Sequence, residues 1–498
     1  MQDKKVKHRK KLAGEIKMYR RNVTEQIKLD IPFGVELDAE NRWVELSAII
    51  PWEKIDKLYS QNFKKNTGEM AKSSRLAFGA LYIQHRLAIT DEETVAQIQE
   101  TPAMQYFCGM EYYTTQKPFD SSLMVHFRKR ITSEMMKEIT AEAFAAEPKK
   151  KIMSEERNKN KDDDDENNSG KPKGIMLLDA TCCPSNIHYP TDISLLNHAR
   201  ELTEIIIDEL HEQLVKLGVI KPRTYREVAR KAYLSYSRKR KHGQGELRFA
   251  IKQQLQYVRR NLESIEKQIE LGAELTKLTI ELYEKLQTIA ELYLQQQTMY
   301  DRNNHSIEER IVSISQPHLR PIVRGKANAP VEFGTKVATV HIGGFAFIIN
   351  LSYDNFSEKK YLKESVEEYK KLFGFYPKAV IGDRAYWTNE NRNYCKSKGI
   401  RLSAPKMGRK TEEEKEAERK QLYQDSCVRN AVEGDYGTTK RKYGLCLIMT
   451  KLWDTTWTAI SFGFFVKNME RVLRLLSCAF FQYFCVAKSF PNLCSIEP

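Results

Sequence analysis

Residues 174–184 read GIMLLDATCCP, and residues 378–387 read KAVIGDRAYW. Each opens on a short apolar run, and each run ends in a carboxylate, Asp179 in the first and Asp383 in the second. An apolar run without polar alternation predicts a strand buried on both faces, as in a sheet covered by helices. Strand tips of an open α/β sheet are where sites assemble, so two acids ending two such strands form a candidate pair. One alone would carry little, because a carboxylate there is as often a helix cap.

Strand texture recurs on either side of these runs. Residues 335–354, TKVATVHIGGFAFIINLSYD, predict a hairpin turning on Gly343 and Gly344. Residues 186–192, NIHYPTD, offer a strand to partner the first run. Within them His188 and Asp192 read as hydrogen-bonded structural residues. A helix is expected over 358–373, then one capped by Thr388 and closed by Gly399, then a strand from Ile400. Between the first strand and the hairpin lie helical stretches, LLNHARELTEIIIDELHEQLVKLG and then Pro222 to about Gln297. A stripe of Leu275, Leu278, Leu282, Ile289 and Leu292 reads as a helix hairpin inside the domain. The order predicts an α/β domain, a mixed sheet flanked by helices, with a large helical insertion at about 195–310.

The chain has 498 residues, more than one compact core usually holds, so two or more domains are expected. Its 81 Lys and Arg outweigh 66 Asp and Glu, a net +15 that favours a polyanionic partner. Nine scattered cysteines are too few for a disulfide scaffold, and reduced thiols fit a cytoplasmic protein. The basic start lacks the apolar segment of a secretory signal. Residues 475–487, LLSCAFFQYFCVA, fall short of the roughly 20 needed to span a bilayer, so a buried C-terminal helix and no membrane are expected.

The expected division is a basic arm at 1–60, a mostly helical domain at 61–150, a charged linker at 151–174, an α/β domain at 175–475 and a tail at 476–498. In the second segment Leu76, Ala80, Ile83 and Leu87 recur at helical spacing, and Asp91 reads as an N-cap. PFDSSLMVHFRKRI then predicts a helix ending in Arg128, Lys129 and Arg130, an arrangement that suits a helix-turn-helix-like DNA reader. A second basic region, 221–260, holds 13 Lys and Arg against Glu227 and Glu246, and includes Arg238, Lys239, Arg240 and Lys241. Met407-GRKT lacks the first glycine of a phosphate loop, because Ser403 stands there, which excludes an NTPase.

A third acid comes from RNAVEGDYGTTKRKYGL, residues 429–445. Arg429, Glu433, Gly437 and Lys440 fall four, four and three apart, on one helical face. Spacing alone leaves open a run of surface ion pairs. Asp179 in GIMLLDAT, Asp383 in AVIGDRAY and Glu433 in this segment together resemble the Asp-Asp-Glu transposases of bacterial insertion sequences, most closely the insertion-sequence-five-like group. SRLAFGALYIQHRLAITDEETVAQIQETPAMQYFCG and FDSSLMVHFRKRI resemble the same group's helical DNA-binding domain.

The resemblance implies a ribonuclease H-like core with Asp179 on the first strand, Asp383 at the end of the fourth and Glu433 on a later helix. It implies that these three hold two Mg²⁺ ions per active site, with Mn²⁺ as a substitute, one activating the attacking oxygen and one stabilising the leaving oxygen. Water would nick the terminal inverted repeats, and the freed 3′-OH would join target DNA. Arg429 and Lys440 would contact phosphates. The implied partners are double-stranded DNA and a second copy in a homodimer or larger synaptic complex, in the bacterial cytoplasm with the nucleoid. About 200 residues separate Asp179 from Asp383, a long interval for a plain core of this kind. The alternatives are a catalytically inactive end-binding repressor and a metal-dependent nuclease without strand transfer.

Overall fold

A computed structural model describes residues 36–63, 70–145, 172–323 and 331–489, with side chains of the last helix as far as residue 477. The expected basic stretch before residue 36, most of the charged linker and the residues after 489 lie outside these. The chain forms two compact units. One takes residues up to Pro184, Lys336–Ser352 and Phe356 onward; the other takes Ser185–Thr335 and Tyr353–Asn355.

Among the described residues the first unit opens with seven helices: α1 (Arg42–Ile49), α2 (Trp52–Ser60), α3 (Ser74–Leu87), α4 (Asp91–Glu100), α5 (Pro102–Phe107), α6 (Leu123–Arg130) and α7 (Ser133–Ala145). Residues 42–60 are therefore not an arm: Trp43, Trp52 and Tyr59 are buried. Ser73 caps α3 by accepting from Leu76 N–H at 3.1 Å. Ala77, Phe78, Ala80, Leu81, Tyr82 and Ile83 are all buried, so α3 is apolar around its circumference and runs through the centre. α4 starts one residue earlier than expected. Thr90 is the cap, accepting from Glu93 N–H at 3.2 Å, because the Asp91 carboxylate is drawn to Gln84 and Arg128.

The sheet of this unit contains β1 (Ile175–Pro184), the later part of β3 (Val331–Ile342), β4 (Phe345–Ser352), β5 (Ala379–Ile381) and β6 (Arg401–Leu402), in the order β4-β3-β1-β5-β6. A short β2 (Pro321–Val323) pairs with the first residues of β3, within the other unit. β1 and β5 are parallel, as are β5 and β6, while β3 and β4 form an antiparallel hairpin. Gly343 and Gly344 make the expected two-residue turn, with φ of +55° and +80°, values that an L side chain rarely adopts. Residues 187–190 are irregular, not the strand expected there.

β1 runs five residues past Asp179, so the acid sits mid-strand, not at a tip. Thr181, Cys182 and Cys183 continue the buried extended stretch. The helices of this unit that follow β4 are α12 (Leu362–Phe373), α13 (Asn389–Ser397), α14 (Glu412–Lys442) and α15 (Trp453–Ser489). The charged segment before Arg429 is itself the opening of α14, started by a capping box between Thr411 and Glu414. The expected C-terminal helix is part of α15, which reaches Ser489; the side chains of its last residues lie outside the description.

One face of the sheet, through Met176, Leu178, Val340 and Val380, packs into a single core with α3, α7, α12 and α15. Phe78 of α3 meets Phe462 and Phe465 of α15 at ring distances of 4.9 and 5.5 Å. The N-terminal helices thus share the core of the sheet and do not form a separate globule. The other face, through Leu177, Cys183 and Val337, packs against Val432 and Tyr436 of α14 and Ile460 and Phe464 of α15.

The second unit is helical: α8 (Asp192–Leu214), α9 (Arg226–Ser237), α10 (Gln244–Glu270) and α11 (Ile280–Arg302). α8, α10 and α11 join through Leu196, Ala199, Leu255, Val258, Ile289 and Leu292. The stretch expected as one helix after Pro222 breaks into three, with Gly243 as the N-cap of α10 and Gly272, φ +100°, in the turn after it. Asp192 takes hydrogen bonds from Gln296 at 3.0 Å and Arg310 at 2.6 Å, a structural tie between segments. Among the described residues no helix is long and apolar enough to cross a membrane.

Candidate active site

The pairing of β1 with β5 brings two of the acids together. Ile175, Met176 and Leu177 face Ala379, Val380 and Ile381; each acid follows two residues beyond the last of these pairs, and Asp383 is close enough to act on the Asp179 carboxyl. Asp179 also shares pleat parity with Leu177 and Cys183, so it belongs to the face that α14 covers.

Each carboxylate is held locally. An Asp179 oxygen accepts from Ala180 N–H at 2.8 Å, and Asp383 accepts from Ala385 N–H at 2.9 Å, capping the short 3₁₀ turn Arg384–Tyr386. Gly382 makes that turn possible: a Cβ there would lie 2.7 Å from the Tyr386 ring. Burial is the main force pushing the Asp179 carboxyl up to about 6, with Glu358 and Asp383 adding repulsion while Ala180 N–H and Arg429 oppose it. Tyr386 and Tyr436 are raised too, first by burial and then by acids that include Asp179 and Glu358.

Glu358 is the acid that sequence reasoning missed. It opens a 3₁₀ turn, Glu358–Tyr361, and pairs with Lys336 of β3 at 3.0 Å; the Lys336 ammonium also donates to Phe356 O at 2.8 Å. The one visible signal was an acid a few residues past a strand end, with no motif around it.

α14 carries the third expected acid. Its buried stripe is Asp425, Val432, Tyr436 and Thr439, with Arg429 half-buried between. Arg401 of β6 grips Asp425 through two bonds, 2.6 and 2.9 Å, and fixes the first half of the helix on the sheet edge. Glu433 follows Val432 at the edge of that stripe and is exposed; Lys440 is half-buried. The structure therefore brings Asp383, Glu358 and Arg429 into electrostatic range of Asp179, and Glu433 is exposed on the helix that covers the same face of the sheet.

Among the described residues no three His, Cys, Asp or Glu side chains stand close enough to hold a metal ion as they lie. The donors are carboxylate oxygens, the ligands that Mg²⁺ and Mn²⁺ take, and repulsion among desolvated acids is what a bound cation would relieve. In chemistry the residues fit a divalent ion.

Two family comparisons bear on this constellation. The Transposase DDE domain family matches residues 380–470, which include Asp383, Arg429, Glu433 and Lys440. A Transposase domain (DUF772) matches residues 33–130, the first helices of the chain. In these two stretches the chain is similar to the DDE transposases of insertion sequences. A protein of Rhizobium meliloti described as uncharacterised, ORF8 in the nfe locus, is 27% identical to this chain over 192 residues, 36% of this chain and 84% of the relative. No solved structure matches.

The basic residues expected to meet DNA fall into different settings in this chain. Arg128 is buried: its guanidinium bonds both Asp91 oxygens, and Gln84 at 3.0 Å. Its charge is used inside the helical core, which removes it from the DNA-facing set. Lys129 is exposed, and Arg130 lies over the Phe63 ring at 5.0 Å. Arg238, Lys239, Arg240 and Lys241 are all exposed in the connection between α9 and α10. Lys239 pairs with Glu246, and Tyr236 stacks on His242 at 3.8 Å, closing the base of that connection.

Proposed function

We propose that this chain is an active transposase that binds the terminal inverted repeats of its element, cleaves them by phosphodiester hydrolysis and joins the 3′-OH to target DNA. The observation that carries the reading is the parallel pairing of β1 with β5, after which Asp179 and Asp383 follow, together with the packing of the Glu433 helix on the Asp179 face of the sheet. Support for a ribonuclease H-like core comes from the same sheet. With the short β2 set aside, Asp179 lies on the first strand and Asp383 follows the fourth, a hairpin stands on one side of β1, and two parallel strands stand on the other.

Asp179, Asp383 and Glu433 are the residues that would hold Mg²⁺, with Glu433 turning inward from the edge of α14. Bound there, the ions supply Lewis-acid stabilisation of the attacking and leaving oxygens. The chain's own groups prepare that arrangement. Arg429 favours the ionised form of Asp179, and Lys336 holds Glu358 beside it. Arg429 and Lys440, about one turn before and two turns after Glu433 along the helix, offer cations to the phosphates that flank the scissile bond. Arg238, Arg240 and Lys241 on the second unit, with Lys129 on the first, supply sequence-independent contacts to the DNA backbone. Two copies on paired ends complete the proposed assembly.

The test uses labelled DNA carrying the flanking ends, with Mg²⁺ or Mn²⁺, and compares wild type with Asp179→Asn, Asp383→Asn and Glu433→Gln. The expected result is end cleavage and joining by wild type, with each variant binding the ends but doing neither. Cleavage by any one variant removes that acid from the set. Binding without cleavage by wild type under every metal favours an end-binding repressor, and cleavage without joining favours a nuclease.

A further inference from the structure

The face of the sheet that carries Asp179 holds a chain of buried polar groups that core packing alone does not require. Lys467 of α15 lies 2.7 Å from Asp435 of α14 and donates to Gly344 O at 2.7 Å. His341 of β3 presents Nδ1 to the same Asp435 oxygen at 3.2 Å and Nε2 to Thr339 Oγ1 at 3.0 Å. Thr339 Oγ1 lies 2.5 Å from the Tyr436 hydroxyl and 3.4 Å from the carbonyl oxygen of Asp179. The side chains of Lys467, His341, Thr339 and Tyr436 are all buried.

Thr339 Oγ1 is hydrogen-bonded to both His341 Nε2 and the Tyr436 hydroxyl, while Asp435 stands in ion-pair contact with His341 Nδ1 and the Lys467 ammonium. Five side chains on β3, α14 and α15 are thus linked. Asp435 and Tyr436 are consecutive residues, and both lie on the turn of α14 that follows Glu433.

A buried ion pair is costly compared with apolar packing of the same volume, and a satisfied polar network specifies one arrangement where an apolar contact tolerates several. Apolar residues at 435 and 436 would let α14 rotate or slide on β1 and β3. The hydrogen-bonded chain admits one rotation. We infer that Thr339, His341, Asp435, Tyr436 and Lys467 are positioning residues that lock the rotation of α14 about its axis and so set where Glu433 and Arg429 stand relative to Asp179. This rests on the proposed role of Glu433.

Thr339→Val and Tyr436→Phe each remove one hydroxyl at nearly constant shape. Each is compared with wild type in thermal unfolding, affinity for end DNA, single-turnover end cleavage and Mn²⁺ affinity measured from the resonance of free Mn²⁺. Loss of an orienting partner typically lowers metal affinity or activity about 10–100-fold, and that loss is expected in cleavage and Mn²⁺ affinity, with end affinity within about twofold of wild type. The double variant should be no worse than the poorer single one, because one break already interrupts the chain. Thr339→Ser should restore both readouts. Val337→Ala, in the same apolar layer, serves as a control for destabilisation alone. Folded variants that cleave and bind Mn²⁺ like wild type overturn the inference, as does a Val337→Ala variant that loses as much cleavage for the same fall in Tm. Glu433→Gln in the same assay separates the two readings. If it still cleaves, the proposed function of Glu433 fails; if it is inactive while Thr339→Val is unimpaired, only the positioning role fails.

Discussion

Arg128 to Arg130 and Arg238 to Lys241 are runs of consecutive basic residues, one in each compact unit, and they meet opposite fates. In the first, Arg128 turns inward to Asp91 and Gln84, and Arg130 packs on an aromatic ring, so Lys129 alone is fully exposed. In the second, all four side chains project from a connection between helices, closed at its base by the stacked Tyr236 and His242. The first run sits at the end of a helix whose Met124 and Phe127 are buried, so the neighbouring turn has a core to face. The second has no apolar neighbours in sequence between Tyr236 and Leu247 to draw it inward. Charge counts alike, but the apolar spacing beside it decides whether it serves folding or a partner.

That contrast has consequences of graded size. Arg128→Ala should cost about 3 kcal/mol in urea unfolding, because it strands the partly buried Asp91 carboxylate, while Lys129→Ala should cost less than about 0.5 kcal/mol. Equal effects of the two would break the contrast. The same rule applied to an acid sharpens it. Asp179 is a half-buried carboxyl raised to about 6, so the native state holds its proton more tightly than the unfolded chain does. The stability this brings is fully present below the unfolded value near 4 and is lost as pH rises through about 6. In metal-free protein, Asp179→Asn should therefore be more stable than wild type by about 1–3 kcal/mol at pH 7.5, with the advantage gone near pH 4. Thermal unfolding of both proteins across that interval reads it, and a constant difference would refute it. The smallest effect belongs to the exposed run. Reversing Arg238, Arg240 and Lys241 should leave stability unchanged but weaken DNA binding about tenfold near 0.1 M salt, and flatten the slope of log affinity against log salt by up to about 3. An unchanged slope would remove this segment from the DNA contacts.

The sequence disclosed elements whose cause is local. Gly343-Gly344, Thr388, Gly399 and the two apolar runs each named their structure because a turn, a cap or a buried strand needs those residue types at those places. Asp383 was read correctly as the acid after its strand, since Gly382 and the following turn end it. Asp179 was read as a strand end and lies mid-strand, because an acid in an apolar run looks like a stop unless its partner across the sheet is known. Glu358 and the His341 network were not legible at all. Their neighbours come from β3, α14 and α15, separated by about a hundred residues, and no pattern along the chain records that meeting. Spacing to Arg429 and Lys440 left Glu433 open between a site acid and a surface ion pair, and only the resemblance singled it out; its exposure depends on how α14 rolls on the sheet.

The connection between β1 and β3 is a matter of timing as well as shape. These neighbouring strands are interrupted by roughly 150 residues, a separation that by itself makes their pairing a slow, long-range event in folding. The intervening helices, however, make their contacts among themselves, and at the base of the insertion Ser185 N–H donates to Phe333 O at 2.9 Å. Once that helical unit has formed, its two ends are already side by side. For the chain that remains, the strands carrying Asp179 and Thr339 are then close neighbours, and the insertion acts as a pre-assembled clasp that delivers them to the sheet.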